Sequence, residues 1–105
     1  MQENNKFLSL MGLCQRAGKL VSGELPCENA AKSGKAKLLI VASDASDNTK
    51  KKFTNASNSR DIDIIDYGNK IELGRSIGKD MRSVVAIIDE GFALQLKKIY
   101  ESLQS

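Results

Sequence analysis

The chain has 105 residues, 41% hydrophobic and 28% charged, and carries a net charge of +3 from 16 Lys+Arg against 13 Asp+Glu. That is the size and balance of one domain with one core, expected to occupy residues 1–105. Histidine is absent, which excludes an imidazole general base, Ser–His and Cys–His dyads, and the commonest metal ligand.

Phe7, Leu10, Met11, Leu13, Cys14 and Ala17 recur at helical spacing, and Gly18 stands where that helix stops. Lys19 to Ser22 forms a short predicted strand, with Ser22 placed to cap a second helix that runs to Ser33 and ends at Gly34. Pro26 falls close to that helix start, where its missing N–H is tolerated. Lys37 to Ala42 reads as a strand apolar on both faces, hence central in a sheet covered on both sides. A polar helix follows from Ser46 or Asp47 to Ser57, then a strand at Ile62, Ile64 and Ile65, and a short helix from Lys70 to Ile77 ending at Gly78. Val84 to Ile88 is a second doubly buried strand, and Phe92, Leu96, Ile99, Tyr100 and Leu103 mark the apolar face of the last helix. Strands alternating with helices predict a three-layer α/β/α sandwich around a small sheet, mostly parallel or mixed.

Cys14 and Cys27 are too few for a disulfide framework or a zinc site, and read as small core residues in a reducing compartment. The opening MQENNK has no apolar core and the run LLIVA is too short to span a bilayer, so a cytoplasmic protein without a membrane partner is expected.

Three strands run into acids: Asp44, Asp66, and Asp89 with Glu90. Gathered at one sheet edge, such carboxylates could hold magnesium for phosphoryl chemistry. The competing reading makes them helix caps, and without a phosphate loop or a basic catalytic group beside them capping is preferred. The glycines supply no such loop: Gly12 to Gly18–Lys19 is one residue too long for the Walker spacing, and Leu20 stands where Ser or Thr must bind magnesium. Lys50, Lys51 and Lys52 read as a solvated helix face. Lys32, Lys35 and Lys37 surround the turn at Gly34, and the loop charges Lys19, Lys37, Lys79 and Arg82 suit phosphate contact. Few aromatics are free to stack, which favours folded RNA recognised by shape and backbone over single strands.

Four ordered blocks, LMGLCQRAGKLVSGE, SGKAKLLIVASDASDNTKKK, IELGRSIGK and SVVAIIDEGFA, together resemble the ribosomal-protein superfamily that binds kink-turn RNA, and most closely its small bacterial YlxQ-type branch. The resemblance runs from about Phe7 to Leu103. It implies a four-stranded mixed sheet, no enzymatic activity, no cofactor, and binding to structured or ribosomal RNA, with DNA not expected and a monomer favoured. It also implies one RNA surface built from Ser22 and Gly23, Lys37 with Asp44, and Lys79 to Ser83. A helix N-terminus opening at Gly23 would present free N–H groups to phosphate there.

Kink-turn binders of this kind carry Gly-x-Asn/Lys-Glu/Gln-x-x-Lys at that helix start. The stretch here is Gly23-Glu24-Leu25-Pro26-Cys27-Glu28-Asn29, so Leu25, Pro26 and Asn29 replace the polar readers and the lysine. The expected function is non-catalytic binding of structured RNA connected with translation or the ribosome. The alternative is a protein-interaction module that keeps the fold and has lost kink-turn specificity.

Overall fold

The computed structural model describes residues 3–104. In chain order the elements are α1 (Glu3–Arg16), β1 (Leu20–Ser22), α2 (Glu24–Lys32), β2 (Leu38–Val41), α3 (Asp47–Arg60), β3 (Asp63–Asp66), α4 (Lys70–Ser76), β4 (Val84–Ile87) and α5 (Glu90–Gln104). The strands form one mixed sheet in the order β1-β4-β2-β3. β2 pairs parallel with β3, whereas β4 runs antiparallel to both β1 and β2. Helices α2 and α3 pack together on one face, and α1 packs with α4 and α5 on the other. This is the three-layer α/β/α sandwich anticipated from the alternation of elements.

The two central strands are the two whose sequences are apolar on both faces. Every residue of LLIV in β2 and of VVAI in β4 is buried, because each strand is covered by helices above and below. Phe7, Met11, Phe53, Leu73 and Leu96 complete the core from the helices, each fully buried. Both cysteines are free and buried. Burial pushes the Cys27 thiol up to about 12 and the Cys14 thiol to about 11, the latter helped by the charge of Asp89.

Several boundaries differ from expectation, each for a local reason. Ser22 does not cap α2: it ends β1 and its hydroxyl accepts a hydrogen bond from Arg82, while Gly23 takes the N-cap position at φ 94°, a conformation glycine adopts without strain. α3 runs three residues past Ser57, to Arg60, and stops on Asp61 in a left-handed conformation. The Ser57 hydroxyl is buried within the helix and donates to the carbonyl of Ile62. α5 begins at Glu90, since the Asp89 carboxylate accepts from the Phe92 N–H at 2.9 Å and caps it. On α1 the apolar stripe is narrower than its periodicity suggests. Phe7, Met11 and Cys14 are buried, but Leu13 and Ala17 are exposed.

Because β4 runs against its neighbours, the sheet has two unlike ends. The carboxyl ends of β1, β2 and β3 and the entry to β4 share one, called here the upper end; the starts of β1, β2 and β3 and the exit of β4 share the lower one. Asp44 and Asp66 therefore lie at the upper end and Asp89 at the lower, and the acidic trio never assembles. Among the described residues no metal-binding cluster of His, Cys, Asp or Glu side chains forms, and no helix is long and apolar enough to cross a membrane.

Candidate nucleic-acid interface

Backbone hydrogen bonds knit the upper-end loops into one surface. Gly23 N donates to Val84 O at 3.0 Å, Ala42 N to Ser83 O at 2.9 Å, Ser43 N to Gly68 O at 2.8 Å, and Arg82 N to Lys70 O at 3.0 Å. The segment between α4 and β4 thus contacts both the β1–α2 junction and the β2–α3 loop. Gly74 lets it approach: a Cβ there would lie 2.7 Å from Asp80 O and 2.8 Å from Met81 Cα. Glycine is required at this position because its neighbours are backbone and cannot swing away.

At the centre of this surface, α2 starts without a side-chain cap. The first N–H groups of any helix lack intrahelical acceptors, and Pro26 has no N–H to offer. Glu24 and Leu25 therefore present open donors at the positive end of the helix dipole. Arg82 is held beside them by two hydrogen bonds, from Nε to Ser22 Oγ at 3.0 Å and from Nη1 to Met81 O at 2.7 Å. Leu25 is 67% and Met81 52% exposed, which leaves apolar surface on both segments flanking the Ser22–Arg82 link.

The carboxylates nearby are already engaged. Asp44 Oδ1 accepts from Lys70 N at 2.8 Å, and Asp66 accepts from Ser43 Oγ with Lys50 Nζ 4.0 Å away. Glu24 accepts from Thr49 Oγ1 at 2.9 Å and from Lys52 Nζ at 3.0 Å. Lys52 reaches Glu28 as well, at 3.7 Å. The hydrogen bond from Lys52 holds the Glu24 carboxyl below its usual range, with Thr49 adding to the effect. Lys52 is therefore more than part of a solvated helix face: it ties α3 to the first turns of α2. The i, i+4 spacing of Glu24 and Glu28 was the available signal, since one helix edge with two carboxylates calls for a cation from its neighbour.

Of the sequence-nominated residues, the structure brings Ser22, Gly23, Asp44, Arg82 and Ser83 together at the upper end, while Lys79 follows α4, its N–H donating to Gly74 O at 2.8 Å. It sends Lys19, Lys35 and Lys37 to the lower end. Lys37 N donates to Ile87 O at 2.7 Å and Ile88 N to Lys19 O at 2.9 Å, so both lysines flank the exit of β4. The expected single surface joining Lys37 to Asp44 is therefore corrected: the two residues lie at opposite ends of β2. A strand rises ~3.3 Å per residue, which separates Lys37 from Ser43 by roughly 20 Å.

A family model described as the ribosomal protein L7Ae/L30e/S12e/Gadd45 family matches residues 5–97. The chain is 40% identical over 103 residues to the RNA-binding protein YlxQ of Enterococcus faecium, covering 96% of this chain and 99% of that one. It is 32% identical over 106 residues to the large ribosomal subunit protein eL30 of Sulfurisphaera tokodaii, covering 99% and 100%. A solved structure of a Bacillus halodurans protein of unknown function superposes with a TM-score of 0.89 at 40% identity, covering 91% of this chain and 97% of that one.

Proposed function

The chain belongs to the ribosomal protein L7Ae/L30e/S12e/Gadd45 family, and on that premise we propose that it is a non-catalytic binder of structured RNA acting in association with the ribosome. The observation that carries this reading is the upper end: an uncapped helix start at Gly23 beside the anchored Arg82 guanidinium. Lys52 offsets the charge of Glu24, and Lys50 lies 4.0 Å from Asp66, which lowers the repulsion a phosphate would meet there. Arg82 and Lys79 contact the RNA backbone, the amides at the start of α2 donate to a phosphate oxygen, and Leu25 with Met81 rests against exposed base or sugar surface. The names of relatives as RNA-binding and ribosomal proteins support the same partner class.

Filter binding of cellular RNA across a salt series tests the proposal. Affinity is expected to fall linearly on log–log axes with a slope reporting ~3–5 neutralised phosphates. No association even at low salt overturns it.

A further inference from the structure

The lower end holds a set of cations that the upper-end interface does not use. Lys19, Lys32, Lys35 and Lys37 are exposed, and Lys37 Nζ donates to the Gly34 carbonyl at 3.5 Å. Arg60 donates from Nη1 to the Lys32 carbonyl at 3.2 Å, which brings the end of α3 against the end of α2. Among the described residues none of these five forms an ion pair, whereas Lys50 and Lys52 near the upper end do. Lys32, Lys37 and Arg60 frame an open groove of about 660 Å³ between α2, α3 and α5.

The acids of this end are Asp61, Asp63, Asp89 and Glu90. Asp63 is taken by Lys97 at 2.6 Å, and Asp89 caps α5. The unpaired cations thus outnumber the remaining carboxylates, Asp61 and Glu90. Basic residues in the last turn of a helix complement its dipole, which accounts for Lys32 on α2 and Arg60 on α3. It does not account for Lys19, Lys35 and Lys37, which lie on turns beyond any helix.

We propose that the lower end is a second RNA-backbone contact surface, formed by Lys19, Lys32, Lys35, Lys37 and Arg60, so that one chain bridges two segments of structured RNA. The inference rests on the RNA-binding reading above. Exposed ammonium groups without carboxylate partners match the regularly charged sugar–phosphate backbone, which they recognise without reading bases. The two surfaces face apart on a molecule whose extents are 36 × 29 × 27 Å, so one duplex docked at the upper end leaves the lower end open.

The test immobilises one plain RNA hairpin, adds the protein at low salt, and then adds a second, fluorescently labelled copy of the same hairpin. Wild type is expected to capture the labelled hairpin. Lys35→Glu/Lys37→Glu is expected to bind the immobilised hairpin yet lose most of the second capture, with a salt slope shallower by about 2. Lys35→Gln/Lys37→Gln, which removes charge without reversing it, gives the same loss in weaker form, and circular dichroism shows both variants folded because these side chains are exposed. Wild type that binds the first hairpin but never the second overturns the bridging surface and leaves the proposed function standing. Second capture that survives in Lys35→Glu/Lys37→Glu also overturns it, since bridging would then come from self-association or from the upper end. Failure of wild type to bind the immobilised hairpin at all overturns both.

Discussion

The two ends of the sheet handle charge in opposite ways. At the upper end nearly every ionised group near the start of α2 is tied down: Glu24 by Lys52 and Thr49, Asp44 by the Lys70 amide, Arg82 by Ser22 and Met81. At the lower end Lys19, Lys35 and Lys37 sit on exposed turns, and among the described residues no carboxylate pairs with them. Anchored groups can be placed to within a hydrogen bond and so suit recognition of a particular shape. Free ammonium groups supply attraction without register. On the proposed reading, the upper end serves selectivity and the lower end affinity.

The largest expected effect comes from sharpening the upper end. Leu25, Pro26 and Asn29 are all exposed on α2, so replacing them leaves the core untouched. Leu25→Asn/Pro26→Glu/Asn29→Lys restores the polar pattern of the kink-turn binders at the helix start. A good polar pair to a base edge is worth about 1–3 kcal/mol by analogy with DNA grooves, and two of them raise affinity about a hundredfold. Binding of wild type and the triple variant to a kink-turn RNA and to a plain duplex measures this, and the gain is expected on the kink-turn alone.

Breaking the upper end costs less. Gly74→Ala drives a Cβ into the backbone of Asp80 and Met81 and displaces the segment that carries Arg82. A strained insertion of this kind costs about 1–3 kcal/mol, read as a fall of roughly 4–8 °C in Tm per kcal/mol for a domain of this size. Duplex RNA retained through the lower end is expected to survive in this variant better than kink-turn RNA does.

The smallest effect is a pH dependence. Glu24 has its pKa lowered in the folded chain, mainly by Lys52. Its contribution to stability is therefore full above the ordinary glutamate pKa and is lost as pH falls through the depressed folded value. The pair is exposed and screened by salt, so the loss is slight. Urea midpoints at neutral and acid pH measure it: Glu24→Gln is expected to show a smaller drop than wild type, and high salt to erase the difference.

The layers of this fold were legible because LLIVA and VVAII are apolar on both faces and because Gly18, Gly34 and Gly78 mark the ends of α1, α2 and α4. Strand direction was not legible. Nothing in Val84 to Ile87 reveals that β4 runs antiparallel, since a doubly buried strand looks alike in either direction. That one reversal is why Asp89 parts from Asp44 and Asp66. Lys37 and Asp44 part for a simpler reason, being at opposite ends of the same strand. The partner of the Ser22 hydroxyl is hidden for a related cause. A serine before a helix reads as its cap until a partner 60 positions away, Arg82, claims the oxygen. Long-range hydrogen bonds of this type leave no local signature.

The central claim, that RNA docks on the upper end through the start of α2 and the loop before β4, is tested most directly by titrating the isotopically labelled protein with a structured RNA hairpin and following backbone amide shifts by NMR. The account predicts that Gly23, Glu24, Leu25, Lys79, Arg82 and Ser83 move first, and that Lys35 and Lys37 follow as RNA is added further. Early shifts confined to the outer faces of α1 and α5, with Gly23 and Arg82 unmoved at saturation, would contradict it.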